Sequence, residues 1–258
     1  MHVLKNKRLK IGFDPKLFTR KTLDFFFKRT KCKLIDFGQN LIDKIQIKKK
    51  NYNIKNFFIL PKNATGQNYK SKVKKVIKVL NKKKIDIQFI SASENIAWLL
   101  NIRGQDSEFS PLPNAYLIFD KKKINLFCDL KKTKNNFIKK FKNVEFSDIK
   151  FISQFLSKIK NKKVLIDPNT CSIFFENIIK KNNKIIKLSD PVYFLKSVKN
   201  KVEINNTIKS HLYDGAALTK FLFWIKKNYD KKNINEISAQ EKLLQFRKKN
   251  KNFKFLSF

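Results

Sequence analysis

Apolar positions recur along the chain in two rhythms, and the change between them marks out the elements. Leu9-Lys-Ile-Gly-Phe13 is a short apolar-rich run closed by the turn signal Asp14-Pro15. Thr19 can cap a helix whose face is Leu23, Phe26 and Phe27, and Cys32 to Phe37 then alternates up to Gly38. Residues 39–70 are polar and rich in Asn and Lys around one apolar burst, Phe57 to Leu60, and read as a connection. Val73, Val76, Ile77 and Leu80 share a helix face, and Ile85 to Ile90 reads as a strand. Ser91-Ala-Ser-Glu94 has the spacing of a capping box ahead of a short helix to Asn101. Ala115–Asp120 and Ile124–Asp129, joined by three lysines, predict a hairpin without a turn glycine. A helix over Ile149–Ile159, a strand at Val164–Asp167, a helix from Ser172 to Lys181 and a strand at Lys184–Leu188 complete a mixed-sheet α/β unit over 71–190.

After Pro191 the rhythm is helical only. Val202, Ile204, Ile208, Leu212, Ala216, Leu218, Leu222 and Ile225 form a stripe long enough for about eight turns. Asn235 can cap a second helix carrying Ile237, Leu243, Leu244 and Phe246, and Phe253–Phe258 is strand-like. These stripes have no visible partner, and two strands with one helix cannot enclose a core at the other end. The expectation is a chain that begins and ends inside domains.

Composition alters this picture little. The 258 residues are 42% hydrophobic, with 26 Phe, which permits a sizeable core. The longest run without a charge, Phe109 to Phe119, is too short to cross a bilayer, and no signal peptide is visible. Three widely spaced cysteines (Cys32, Cys128, Cys171) exclude a disulfide framework and fit a reducing cytoplasmic setting. The net charge of +39 would suggest nucleic acid, but it runs +11, +8, +5, +7 and +8 over successive blocks ending at 50, 100, 150, 200 and 258. It rests on 54 Lys against 5 Arg, which argues against base readout. Lys, Asn, Ile and Phe make up 138 residues, the signature of A/T-rich codons. The expectation is no specific nucleic-acid partner, with weak, salt-sensitive binding only.

Candidate chemistry is sparse. Of two histidines, His2 is terminal and His211 lies mid-helix with Asp214 three residues on, a pair that could bind a metal or act as a base but reads first as a helix-surface ion pair or a packed interhelical histidine. Asp106 and Glu108 lie close together in a loop as an acidic pair, but such loop acids read first as solvated or paired with a neighbour such as Arg103. The cysteines read as small apolar fillers, and Trp98 and Trp224 as core. The five glycines make no phosphate loop. No catalytic, cofactor-binding or metal residue is assigned.

Glu94 followed by Ile96-Ala-Trp-Leu-Leu-Asn-Ile-Arg-Gly-Gln-Asp106, then Pro111 and Ala115-Tyr116, resembles the Xaa-Pro aminopeptidases (aminopeptidase P). Ile11-Gly-Phe-Asp-Pro15, Asn40-Leu-Ile-Asp-Lys-Ile45, Lys196-Ser-Val-Lys-Asn200 with Glu203, His211-x-x-Asp214-Gly-Ala-Ala-Leu218, Trp224, Glu236-Ile-Ser-Ala239 and Ser257-Phe258 continue it in order. Gln46 stands where the family usually has Trp, and Lys and Asn replace the prolines that commonly follow. The resemblance implies the end of a first creatinase-type N-terminal domain plus linker over 1–63, a complete second one over 64–190, and the opening helices of a pita-bread catalytic domain over 191–258. It implies a metallopeptidase that releases an N-terminal residue preceding proline from proline-containing peptides, using two divalent metals, commonly manganese. In the family the two Asp, one His and two Glu ligands all follow the Ser-Phe matched by Ser257-Phe258, so none is carried over, no metal is expected on this chain, and it is expected to be inactive alone. The N-terminal fold also shapes subunit contacts, which admits a homodimer. Two alternatives stay open: a non-catalytic binding or oligomerisation module, and a nonspecific nucleic-acid binder acting through its lysine excess.

Overall fold

A computed structural model describes residues 8–38, 40–45, 55–107, 109–230 and 233–256. They form two compact units: the described residues of Met1–Leu60 with Gln67–Val198, and Pro61–Gly66 with Lys199–Phe258.

The first unit opens with β1 (Lys10–Phe13), α1 (Arg20–Phe27) and β2 (Lys33–Asp36), the two strands pairing in parallel. Thr19 caps α1 by accepting from the Thr22 amide at 3.1 Å, and Leu23 is its one buried residue. Phe26, expected on the buried face, is 40% exposed. Next come α2 (Leu41–Ile45), β3 (Phe58–Ile59), α3 (Lys62–Thr65), α4 (Tyr69–Lys82), β4 (Ile87–Ile90), α5 (Ser93–Leu100) and β5 (Ile102–Arg103). β6 (Ala115–Phe119), β7 (Ile124–Cys128), α6 (Asn135–Ile138), β8 (Val144–Asp148), α7 (Ile152–Lys158), β9 (Lys163–Ile166), α8 (Ile173–Asn182), β10 (Lys184–Lys187) and α9 (Pro191–Ser197) complete it.

The central sheet has six strands in the order β10-β9-β4-β6-β7-β8, mixed as expected: β4, β9 and β10 are mutually parallel, β6 is antiparallel to β4 and β7, and β8 is parallel to β7. Both faces are covered, so its central strands read as continuous apolar runs whose alternate residues serve different cores. Ile90, Leu117, Phe119, Leu126 and Leu165 face one cluster with Val76 and Leu80 of α4, Ile96 and Leu100 of α5 and Val192 of α9. Phe89, Ile118, Phe127, Val164 and Ile166 face the other with Ile152 and Leu156 of α7 and Ile179 of α8. Each fully buried Leu or Phe contributes roughly 1.5–3 kcal/mol of transfer free energy, so the two clusters dominate this unit's stability.

Local chemistry departs from expectation in identifiable places. The Ser91–Glu94 capping box does not form: Ala92 is the N-cap residue of α5 without a side-chain bond, Ser91 Oγ pairs with Thr170 Oγ1 at 3.0 Å, and Glu94 accepts from the Tyr193 hydroxyl at 2.6 Å. Tertiary partners took both side chains. The hairpin turn replaces glycine with an Asx turn, Asp120 Oδ1 accepting from the amides of Lys122 and Lys123 at 2.7 Å each. The stretch 39–70 is more than a connection, because Phe57 is 5% exposed within the first cluster and β3 pairs with β5. Gln46 falls outside the described residues.

The second unit holds α3, α10 (Lys201–Asn228) and α11 (Glu236–Lys248). Asn200 and Asn235 each cap the following helix with a reciprocal capping box. Residues 253–256 form no strand; Ser257 and Phe258 lie outside the described residues.

Candidate functional site

The chain's most distinctive segment, Glu94–Asp106, runs through α5 and β5 and out into a loop. Ile96, Ala97, Leu99 and Leu100 are buried, so its apolar letters are packing. Its polar letters build two linked networks. At the far end of α5, Asn101 takes the left-handed conformation (φ 57°), donates to the Gln67 carbonyl at 2.7 Å and accepts from Lys72 Nζ at 2.7 Å. Lys72, 1% exposed, also donates to the Trp98 carbonyl at 3.0 Å and lies 4.0 Å from the centre of the Trp98 ring. Its charge is held by carbonyl dipoles and a ring face. Trp98, read as core, is thus also a platform for a buried ammonium.

The near end of α5 meets a buried carboxylate. Asp190, 4% exposed, accepts from Gln88 Nε2 at 2.7 Å, Asn95 Nδ2 at 2.8 Å and the Val192 amide at 2.9 Å. Its own amide donates to Asp167 Oδ2 at 2.8 Å, and Lys196 Nζ donates to Asn95 Oδ1 at 2.9 Å. Burial raises the Asp190 carboxyl above the usual carboxylate range against the opposing pull of those donors. The network fixes α9 to the sheet through β4, β9 and α5. Sequence reasoning missed Lys72, Gln88, Asp167 and Asp190 and held Lys196 only as a letter of the family motif; the one local signal was Asp190-Pro191, an N-cap residue before a first-turn proline.

The proposed acidic loop pair resolves differently. Asp106 Oδ1 is paired with Lys132 Nζ, and Oδ2 accepts from the Asn114 amide. Arg103, its expected partner, instead donates to the carbonyls of Ala97 at 3.1 Å and Ile102 at 2.8 Å, because the short β5 turns it back over α5. Gly104 is held where a Cβ would sit 2.8 Å from Pro113 Cα and 2.9 Å from the Leu112 oxygen, so the loop closes too tightly for any side chain. Glu108 lies outside the described residues.

The remaining candidates are separated. Asp214 is gripped by Arg247, Nε to Oδ1 at 2.7 Å and NH2 to Oδ2 at 3.1 Å, and not by the exposed His211. Trp224 stacks on Phe221 with centroids 6.3 Å apart. Burial pushes the thiols of Cys128 and Cys171 up to about 12, far from a reactive thiolate; Cys32 is half-buried. His2 lies outside the described residues. A groove of about 310 Å³ lies between Thr19, Thr22, Phe25 and Phe26 of the α1 segment and Asn169, with no acid, histidine or cysteine on its walls.

Among the described residues no group of three or more His, Cys, Asp or Glu is placed to hold a metal ion. The buried acids Asp167 and Asp190 accept from amide donors: Asp190 from Gln88, Asn95 and Val192, and Asp167 from Asp190 and Asn169. The described residues do not offer the donor set of a dinuclear centre.

These buried polar contacts lie in an α/β domain with a two-sided mixed sheet, and the family described as Creatinase/Prolidase N-terminal domain matches residues 48–203: the chain belongs to it. Nearly its whole length is similar to Xaa-Pro aminopeptidase 1 of Dictyostelium discoideum, 31% identical over 98% of this chain and 43% of that protein. It is similar also to Xaa-Pro aminopeptidase ApepP of Drosophila melanogaster, 32% identical over 96% of this chain and 42% of that one. The chain therefore spans about two fifths of the length of these curated relatives. Its structure matches the X-prolyl aminopeptidase of Caenorhabditis elegans, described as a cytosolic enzyme with a di-nuclear active site, with a TM-score of 0.87 and 27% identity over 98% of this chain and 43% of that one. The Xaa-Pro dipeptidase of Bacillus anthracis shares the fold alone, at TM-score 0.54 and 16% identity over 70% of this chain and 49% of that one.

Proposed function

We propose that this chain is part of a metal-dependent, cytoplasmic Xaa-Pro aminopeptidase, and that it supplies the frame against which the substrate cleft is built. The observation that carries this reading is the match to an X-prolyl aminopeptidase over 98% of the chain at a TM-score of 0.87. In it, residues 1–63 hold the end of a first creatinase-type domain, 64–190 a complete second one, and 191–258 the opening helices of a pita-bread domain. The whole enzyme releases the residue before proline using two divalent metals, manganese in the common case. The 258 residues by themselves neither hold those metals nor cleave. The Glu94–Asp106 segment then acts as scaffold: Asn101, Glu94, Asn95 and Asp106 bond to Lys72, Tyr193, Asp190 and Lys132.

Two measurements test this. Titrating the isolated chain with manganese while assaying an Xaa-Pro peptide is expected to show neither stoichiometric metal nor turnover. A chimera of the Dictyostelium enzyme, with its aligned segment replaced by this chain, is expected to retain proline-dependent cleavage. Two metals bound with cleavage by the isolated chain, or a folded, metal-loaded chimera without activity, would each sink the proposal.

A further inference from the structure

Charge that is even along the sequence is not even in space. The parallel and antiparallel pairings bring the starts of β4, β7, β8, β9 and β10 and the end of β6 to one end of the central sheet. Every connection arriving there is lysine-rich. Lys82, Lys83 and Lys84 lead into β4, and Lys121, Lys122 and Lys123 turn β6 into β7. Lys139, Lys140 and Lys142 precede β8. Lys158, Lys160, Lys162 and Lys163 join α7 to β9, and Lys180, Lys181 and Lys184 join α8 to β10. All are exposed. Asp86, Asp120 and Glu145 are the acids at this end, and of these sixteen lysines only Lys123 has a carboxylate within 4.0 Å among the described residues, Glu145 at 3.4 Å. In strand order the lysines form a band five interstrand spacings wide, about 24 Å.

Codon bias loads both ends of the sheet alike, but the opposite end differs. There Glu94, Asp129, Asp148, Asp167 and Asp190 sit among Lys131, Lys132, Lys134, Lys150 and Lys187, a near balance. Helix dipoles favour lysine where α4, α7 and α8 end, over the last turn of each. They do not reach the lysines of the β6–β7 turn, where no helix ends.

We propose that this end of the sheet is a docking surface for a nucleic-acid duplex, gripped through its phosphates without regard to sequence. Lysine is a point charge suited to single phosphates, and the band has no arginine to read bases. A bilayer fits less well, because the apolar residues between the lysines, Ile85, Ile124 and Phe141, are buried and leave nothing to insert. The width matches about seven steps of a phosphate backbone at 3.4 Å each.

The test uses the full chain, a labelled 20-base-pair duplex of arbitrary sequence, and vesicles of phosphatidylcholine with phosphatidylserine. The Lys122→Gln/Lys140→Gln/Lys160→Gln variant removes three charges across the band; Lys74→Gln/Lys131→Gln/Lys134→Gln removes three exposed charges elsewhere. At 50 mM salt the band variant is expected to bind duplex at least about tenfold more weakly, its salt slope falling by about 2.7, or 0.9 per lost phosphate contact. The control is expected to change affinity less than about twofold, and a second duplex sequence to bind equally. Equal losses in both variants, no duplex binding at 50 mM salt, or tighter band-dependent binding to the vesicles than to the duplex would overturn the proposal.

Discussion

At the scale of single residues, the buried carboxylate of Asp190 makes a prediction whose sign is fixed. Burial raises its folded-state pKa above the ordinary unfolded value of about 3.9. Such a group contributes its full stability below the unfolded pKa and loses it as pH rises through the folded pKa, where the carboxylate must ionise in a dry site. The Asp190→Asn variant cannot ionise, but one of its amide hydrogens must face a donor, the Asn95 amide or the Val192 N–H. It is therefore expected to be less stable than the parent near pH 4, with the gap narrowing as pH rises toward 8. Urea denaturation of both proteins across that range checks it; a gap that widens with pH would mean that the three donors outweigh burial and hold the pKa down. The local sequence announced Asp190 only as an N-cap residue before Pro191, not as a buried carboxylate. Its side-chain donors lie 102 and 95 residues away, and only the capping bond from the Val192 amide is local.

At the scale of elements, caps separate local signals from tertiary ones. Asn200 Oδ1 accepts from the amides of Val202 at 3.0 Å and Glu203 at 3.1 Å, and its Nδ2 donates to the Thr65 carbonyl at 3.0 Å. Asn235 caps α11 by accepting from the Ser238 amide at 2.9 Å, and no bond of its amide group to the backbone of another element is recorded among the described residues. Asn235→Ala is expected to cost about 1 kcal/mol, the ordinary loss of an N-cap. Asn200→Ala is expected to cost about 1 kcal/mol more, for the hydrogen bond to α3. Thermal melts followed by helix ellipticity test the difference; equal losses would leave the Thr65 contact without energetic weight. The same division explains which elements could be read. Helix α4 has four apolar residues on one face and a capping asparagine, all inside its own fifteen residues, and the β6–β7 hairpin is an alternation closed by its own aspartate. Strand β8, Val144-Glu-Phe-Ser-Asp148, went unread: it is a half-exposed edge strand whose pattern is set by pairing with β7. Ser91 and Glu94 had the right spacing for a box and lost it to Thr170 and Tyr193, contacts that no local window contains. The polar letters of the Glu94–Asp106 segment were likewise legible as a signature, while their partners became visible only once the chain had folded.

At the scale of the whole molecule, burial is unequally shared between the two units. The first carries two cores on the faces of a six-stranded sheet. In the second, Ala217 is the one buried residue of α10, and α11 has none. The stripe expected on α10 stands open, with Ile208 55% and Leu212 67% exposed, so those side chains contribute little transfer free energy. Amphipathic helices draw most of their stability from packing, and the capping boxes together supply only about 2 kcal/mol. Hydrogen exchange of the isolated chain should therefore fall into two tiers. Amides of β4, β6 and β7 are expected to exchange only through opening of the sheet, and those of α10 and α11 through smaller openings at least a hundredfold more frequent, a gap of about 2.7 kcal/mol. Leu117→Ala, which empties a fully buried site, should cost roughly 2–5 kcal/mol and lower protection across the sheet. Leu212→Gln should stay within about 0.5 kcal/mol and leave both tiers where they were. Uniform protection across the two units would mean that α10 is held by more than its side chains account for, and a large loss from Leu212→Gln would place that support on the exposed stripe itself.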